Sequence, residues 1–409
     1  MKILIVSQYF WPENFRINAL AEELYKRGNE VKVLTGFPNY PEGQIYKDFK
    51  ENTKFYNKYR NISITRVPII SRGQNKYCLI INYLSFLLSG CIIGSWKLRN
   101  EKFDLIFTFQ TSPVFVGLVS AFISKVKKIP HAIWVLDLWP ETLEAIGVLK
   151  SKFKLELVRK LVLFIYKRCD IIFVQSKGFL ENISNYQIKN KKIIYFPNWA
   201  DSEFFTKESL PAKEIKINKN VFTIIFAGNI GLAQDFNSII KATKILKFKK
   251  IKFRLIIIGE GSMKSWVKNE IGKNKLEDCV MLYKKYELKR MPSFFMHANA
   301  LLVSLSDEKL FEMTIPGKIQ SYLAAGIPII GMINGEGAQV IKDAKAGFTC
   351  NSGDYKKLAQ IIIQMTKLKN LNEYGNNGKN FANLHFNKSK LIDNLDNELI
   401  NLKELYLKK

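Results

Sequence analysis

Short apolar runs alternate with helical patterns along this chain, in two successive series, and that alternation commits it to mostly parallel sheets with helices on both faces. The first series reads KILIVSQYF, a helix through Ala19 to Arg27, EVKVLTG, SITRVPI, a long apolar helix, then DLIFTFQ, HAIWVLD, DIIFVQS and KIIYFPN. The second reads FTIIFAGNIG, a helix around Ile239 to Leu246, FRLIIIGEGS, CVMLYKKY, NALLVSLSD, a helix from Pro316, and PIIGM. Between them, Asp201 to Asn220 is rich in Lys, Ser and Glu and contains Pro211, the composition of a connection between domains. A chain of 409 residues, 47% hydrophobic, is also too long for one ordinary core. The expectation is an α/β protein of two Rossmann-like domains, residues 1–200 and 221–385, joined by 201–220 and followed by a helix in 386–409. Its ligand sites belong in the loops after the carboxyl ends of the strands.

The stretch from Thr314 to Cys350, TIPGKIQSYLAAGIPIIGMINGEGAQVIKDAKAGFTC, writes a helix start, a buried helix and a short strand in succession. Pro316 is placed for the first helical position, and Gly317 and Lys318 follow with free backbone donors. Those donors and the helix dipole favour a phosphate. Ile319, Tyr322, Leu323 and Ala325 share one helical face, and Gly326 closes the helix. Lys309 and Thr314 stand just ahead of it. Gly228-Asn229-Ile230-Gly231 reads either as a loop that lets backbone approach a ligand or as a tight strand-to-helix turn. Gly259-Glu260-Gly261 either touches a nucleotide or is a strand end that needs flexible residues.

In the first half, Asp137 ends an otherwise apolar strand and either orients and deprotonates an acceptor hydroxyl or caps the following helix. Glu141 carries the same two readings. The loop from Gln8 to Arg16, with Trp11, Glu13, Asn14 and Arg16, suits a sugar ring and a phosphate, and Thr111 and Ser112 end a strand on the same side. His131, His297 and His385 make no general-base constellation, and no cluster has metal-ligand spacing, so no metal is expected.

The net charge of +27 points to a polyanionic partner: nucleic acid, an anionic membrane surface or phosphorylated ligands. Heavy use of Lys, Ile and Asn throughout accounts for part of that excess, and no nucleic-acid motif is present. The five cysteines are scattered, without C-x-x-C, and Met1-Lys2 leads straight into ILIVS, which together lead us to expect a cytoplasmic protein with reduced thiols. The segment CLIINYLSFLLSGCIIGSW, Cys78 to Trp96, is free of charge and long enough to span a bilayer. Asn82, Ser85, Ser89, Gly90 and Gly94 dilute it, so a buried or interfacial helix is expected instead. Its basic flanks, Arg72, Lys76, Lys97, Arg99 and Lys102, suit anionic lipid.

The segments YFWPENFRINALAEELYKRGNEVKVLTGFPNYP, DLWPE, FPNWAD, FAGNIG, IIIGEGS and PGKIQSYLAAGIPII, taken together, resemble the family-4 glycosyltransferases of the GT-B fold. NYPEG and DLWPE look most like bacterial enzymes that build O-antigen, capsule or other lipid-linked glycans, including the L-fucosaminyl type. The resemblance implies two facing Rossmann-like domains with a cleft, the first for the acceptor and the second for a nucleotide-sugar donor. It further implies a UDP-sugar donor, an N-acetylated sugar, retention of anomeric configuration, no metal or other cofactor, and an acceptor carried on a polyprenyl diphosphate at the inner membrane face. The family's spaced pair of glutamates, counted back from Gly326, falls on Ser321 and on Met313 beside Glu312, so the pair is absent. The Arg and Lys usual after the first strand of the second domain are missing from GNIGLAQDF. That leaves Lys318, Lys309 and the Gly228 loop for the diphosphate, Ser321 at the ribose position and Glu312 for a sugar hydroxyl. A UDP-sugar 2-epimerase of the same architecture and a basic nucleic-acid-binding protein are the competing readings.

Overall fold

A computed structural model of the chain describes every residue except 74, 146, 189–190, 206–209, 217, 219 and 409. The chain divides into two compact units. Unit 1 takes Met1–Gln175, Phe179–Phe196 and Ile392–Lys409, and unit 2 takes Ser176–Gly178 and Pro197–Leu391. Of the expected connection 201–220, residues 206–209, 217 and 219 lie outside the described residues.

Unit 1 is built on β1 (Lys2–Val6), β2 (Glu30–Gly36), β3 (Lys58–Tyr59), β4 (Ile62–Val67), β5 (Leu105–Gln110), β6 (His131–Val135), β7 (Ile171–Val174) and β8 (Lys192–Tyr195). They lie side by side in the order β3-β4-β2-β1-β5-β6-β7-β8. The short β3 runs antiparallel to β4, and the other neighbours are parallel. Strands β5, β6 and β7 are buried at every position, which is why they read as unbroken apolar runs without alternation. The first helix, Arg16–Lys26, starts three residues before the expected Ala19 and buries Ile17, Leu20, Ala21 and Leu24, the spacing of one helical face.

Unit 2 holds β9 (Phe222–Ala227), β10 (Phe253–Ile258), β11 (Val280–Tyr283), β12 (Ala300–Ser304), β13 (Ile329–Met332) and β14 (Gly347–Cys350). All are parallel, in the order β11-β10-β9-β12-β13-β14. Alternate residues feed two cores: Ile225 and Ala227 pack on one face of the sheet with Tyr322, and Ile224 and Phe226 on the other. Strand β14 has little apolar content of its own and is drawn into the sheet by its register with β13, Ile330 opposite Phe348.

In each unit the strand order reverses at one central strand: β1 lies between β2 and β5, and β9 between β10 and β12. At such a switch point the crossover helices leave in opposite directions and a crevice opens beyond the carboxyl ends. The loops after β1, β5, β9 and β12 border these crevices.

The last helix, Lys388–Leu407, buries Ile392, Leu395, Leu399 and Leu402. From Ile392 onward it belongs to unit 1, held by Asp393 on Arg27 at 2.7 Å, Asn29 on Asp396 at 2.9 Å, Glu398 on Lys192 at 2.6 Å and Lys403 on Asp104 at 3.1 Å. Leu399 has no exposed surface. Leu399→Ala is expected to cost about 2–5 kcal/mol, and hydrogen exchange should show the loss in β1 to β8 and leave β9 to β14 protected.

Candidate functional site

The switch point of unit 2 is made of glycine loops laid on one another. Gly228 N–H donates to Ile258 O at 2.9 Å, Ile230 N–H to Glu260 O at 2.8 Å, and Met263 N–H to Ile230 O at 2.9 Å. A Cβ on Gly259 would stand 1.9 Å from the Gly228 carbonyl oxygen, and one on Gly261 2.3 Å from that of Ile230. The glycines after β10 thus serve loop-to-loop packing, and Glu260 points outward to pair with Lys264. Gly228 itself has φ +134°, a conformation that favours glycine. Beyond it, Gln234 Oε1 accepts from Gly231 N–H at 3.0 Å and from the exposed Asn229 at 3.4 Å.

The helix Gly317–Ala325 begins beside this loop. Pro316 is its N-cap, with φ −60° and ψ 134°, and not the first helical residue as expected. Gly326 ends it in the left-handed conformation, φ +70°. The helical ladder opens with Ile319 N–H on Pro316 O at 2.9 Å, so the N–H groups of Gly317 and Lys318 precede it. Gly317 is exposed, and nothing stands within 4 Å of where its Cβ would be. The Lys318 side chain lies across the loop backbone: a Cβ on Gly228 would be 2.6 Å from Lys318 Cε, and the ammonium sits 3.6 Å from the centre of the Phe226 ring. The residue as a whole is half-buried, but its charged end has lost its water, which pushes the pKa down to about 7. Among the described residues no carboxylate pairs with it.

Tyr322, which sequence reasoning placed only in the core, fixes this geometry. Its hydroxyl accepts from Ala227 N–H at 3.0 Å and donates to Ala227 O at 3.3 Å, tying the helix to the last residue of β9. The available signal was a phenol on a buried helix face, where the hydroxyl must find a partner. Ser321 is buried with its hydroxyl on Gly317 O at 3.3 Å, so the oxygen proposed for a ribose serves its own helix. Thr314 Oγ1 likewise donates to Leu310 O at 2.9 Å. Lys309 and Glu312 open and close a short helix with both side chains exposed, and Gly335 lets the Glu312 backbone pack tightly there.

In unit 1, Ser112 and Thr142 each donate a hydroxyl to one oxygen of Asp137, and Trp139 Nε1 donates to Ser112 Oγ at 2.9 Å. Gln110 ties the Asp137 carbonyl at 2.8 Å. The first N–H groups of the following helix go to Leu138 and Pro140 carbonyls, so Asp137 is held by hydroxyls and the capping reading gives way. Glu141 turns inward: one oxygen accepts from Asn182 at 3.5 Å and the other is buried without a partner. Burial, and then the Glu141 charge, push the Tyr186 phenol up to about 12. That is not the outward carboxylate an acceptor would meet. Thr111 and Arg16 are half-buried and Asn14 is exposed, with Arg16 opening the first helix.

Glu13 is also drawn into the fold. Its carboxylate accepts from Asn39 N–H at 2.8 Å, Tyr40 N–H at 2.7 Å and Phe10 N–H at 3.3 Å, joining the loops after β1 and β2. Burial outweighs these donors and pushes its pKa up to about 7. His131, the first residue of β6, is fully buried against Thr108 at 2.7 Å and burial pulls its pKa down to about 3.

Tyr322→Phe leaves the buried Ala227 N–H unpaired and should destabilise unit 2 by about 1–3 kcal/mol, read as faster hydrogen exchange in β9. Because folding raises the pKa of Glu13, its contribution to stability is present in acid and lost as pH rises through about 7. Glu13→Gln should therefore flatten the pH dependence of thermal unfolding between about pH 4.5 and 7.

Two family models match the chain: "Glycosyltransferase Family 4" over residues 15–204 and "Glycosyl transferases group 1" over residues 209–381. The chain is 29% identical over 248 residues to a probable glycosyltransferase, WbjE, of Pseudomonas aeruginosa, a match that spans 58% of this chain and 60% of that one. It is 26% identical over 186 residues, 45% of its length and 47% of the relative's, to a Campylobacter jejuni N-acetylgalactosamine-N,N'-diacetylbacillosaminyl-diphospho-undecaprenol 4-alpha-N-acetylgalactosaminyltransferase. Among solved structures, Anabaena Alr3699/HepE in complex with UDP superposes with a TM-score of 0.70 over 98% of this chain and 100% of that one, at 14% identity. The two Rossmann-like units and the matching models, which between them take in nearly the whole chain, identify this protein as a family-4 glycosyltransferase of the GT-B fold.

Proposed function

We propose that this enzyme takes its sugar from a UDP-linked donor bound on unit 2 and passes it to a glycan carried on a polyprenyl diphosphate, in the synthesis of a bacterial surface polysaccharide such as O-antigen, capsule or lipopolysaccharide. The observation that carries the reading is Lys318: a cation without a carboxylate partner, largely stripped of water, at a helix start beside a glycine loop. An ammonium held that way gains most from an anion. The UDP complex of HepE and the diphospho-undecaprenol acceptor in the Campylobacter relative's name support the same reading. The NYPEG and DLWPE segments favour an N-acetylated sugar of the L-fucosaminyl type.

As the bond from sugar to phosphate breaks, negative charge grows on the leaving diphosphate. The Lys318 ammonium, the N–H groups of Gly317 and Lys318 and the exposed Lys309 supply fixed positive charge for it, so the proposal needs no metal or other cofactor. Glu312 accepts a hydrogen bond from a donor-sugar hydroxyl, and Asn229 and the Gly259 loop border the nucleotide. Asp137, steadied by Ser112 and Thr142, orients the acceptor hydroxyl, and Asn14, Arg16 and Thr111 border the acceptor. With retention of configuration, the acceptor proton passes to the departing phosphate oxygen. The enzyme works on the cytoplasmic side, peripheral to the inner membrane face.

Thermal unfolding with UDP at about 100 times its dissociation constant should show stabilisation of roughly 2.7 kcal/mol, absent with Lys318→Ala. The pH dependence has a definite sign. Free Lys318 loses its proton above about 7 and the diphosphate restores it, so UDP binding takes up a proton and weakens as pH rises. Calorimetry in buffers of different ionisation enthalpy measures that uptake. No stabilisation by UDP, or an affinity that rises with pH, would overturn the reading.

A further inference from the structure

From residue 52 to residue 136 the chain carries twelve Lys and Arg and only two acids, Glu101 and Asp104. Both acids are occupied, Glu101 by Lys32 and Asp104 by Lys403. This basic segment contains the long apolar helix, Lys76–Ser89, continued by a π-helical turn at Gly90–Gly94 and a last turn at Ser95–Lys97. The apolar span Tyr77–Lys97 has a mean hydropathy of 1.8 and is only 33% buried.

Its two faces are sharply different. On one, Asn82, Phe86, Gly90, Gly94 and Leu98 are buried at four-residue steps. Asn82 accepts from Gln8 Nε2 at 2.7 Å and donates to Ile70 O at 2.6 Å. A Cβ on Gly90 would stand 2.8 Å from Val119, and one on Gly94 3.1 Å from Leu34. This face is fitted to the sheet and to the helix Val116–Lys127, and a helix leaving to cross a bilayer would abandon all of it. On the other face Tyr77, Ile80, Leu84, Leu88, Ile92 and Trp96 are exposed, from 42% to 80%.

The neighbouring helices extend the pattern. The steps β4 to β5, β5 to β6 and β6 to β7 all run the same way across the sheet, and right-handed crossovers put their helices on one side. Val116–Lys127 exposes Phe122 and Val126 among lysines, and Lys152–Tyr166 exposes Phe153 and Leu157 among Lys152, Lys154, Lys160 and a Glu156 paired with Arg159. Arg99 lies 4.5 Å over the Trp96 ring and Arg168 3.4 Å over that of Phe164. Arg99, Lys102 and Lys127, with Glu101 among them, line a cavity of about 510 Å³, and Ile69, Ile70, Leu88 and Ile92 line an apolar one of about 490 Å³ along the helix.

We infer that this helix layer of unit 1 is a docking face that lies flat on an anionic lipid leaflet. The Tyr77 to Trp96 stripe sinks to the boundary of headgroups and acyl chains, and the Arg99 and Lys102 side chains meet lipid phosphates. An apolar stripe flanked by Arg72, Lys97, Arg99 and Lys102 matches that surface, whereas a nucleic-acid duplex offers no apolar surface to the aliphatic Ile80, Leu84, Leu88 and Ile92. The purpose of the face rests on the reading of a lipid-linked acceptor, but its binding does not.

Sedimentation of the full chain with vesicles of phosphatidylcholine, with and without phosphatidylglycerol, tests it. Wild type should bind the anionic vesicles, more weakly as salt rises. Leu88→Glu with Ile92→Glu should weaken binding about tenfold or more, and Arg99→Glu with Lys102→Glu should remove the preference for anionic lipid. Each variant should keep the UDP-induced thermal shift, which shows that it is folded. Unchanged vesicle binding by the Leu88/Ile92 variant, binding to duplex DNA in place of vesicles, or resistance of the membrane-bound protein to carbonate extraction would each overturn the docking face. Loss of the UDP shift in wild type with vesicle binding intact would instead strike the proposed donor and leave the face standing.

Discussion

Parallel strand pairing is the constraint on which the rest of the molecule depends. Each parallel strand must be followed by a crossover that returns the chain to the starting edge, so the carboxyl ends of every strand except the short antiparallel β3 lie along one border of their sheet. Where the crossovers part, at β1 in unit 1 and β9 in unit 2, the loops at that border are left with an open crevice. The glycine loop after β9 and the Asp137 hydroxyl cluster after β6 both stand on such borders.

Within unit 2 the loops at the switch point are held by backbone. Glycines at 228, 259 and 261 let two loops share hydrogen bonds at a separation no side chain would allow. The Tyr322 hydroxyl then locks the following helix to the end of β9. Lys318 is left across the loop with its charge poorly solvated and its ammonium over the Phe226 ring. Helix start, loop and ammonium are thus brought together although they lie ~90 residues apart along a chain whose order is set by strand crossovers.

Unit 1 shows the same economy in a different medium. The long apolar helix divides lengthwise: its Asn82 and glycine stripe packs on protein and its Leu88 stripe is exposed. The buried Glu13, with backbone donors from three residues, holds the loops on the far side of that helix in place. Polar groups that sequence reading would send to a ligand are in several cases what keeps the loops folded.

The fold class, the order of nearly all strands and the helix ending at Gly326 were legible because period and punctuation carry them locally: continuous apolar runs for strands buried on both faces, helical spacing for crossovers, glycine at the left-handed stop. Strand β14 was not, since its place in the sheet comes from pairing with β13. Gly228, Gly317 and Lys318, which a glycine turn and a helix start mark out in sequence, are brought side by side in the structure. Glu13, Glu141 and Ser321 were misassigned and Tyr322 undervalued, because the direction of a side chain and the partner it meets depend on segments far away in the chain. The sequence alone determined two α/β units, their strand ends as the place for ligands, and a chain rich in uncompensated cations. Only the tertiary structure decided which polar groups are spent on the loops themselves, which cation is left without a partner, and which half of the apolar helix faces outward, since burial and pairing are properties of packed neighbours and not of residue order.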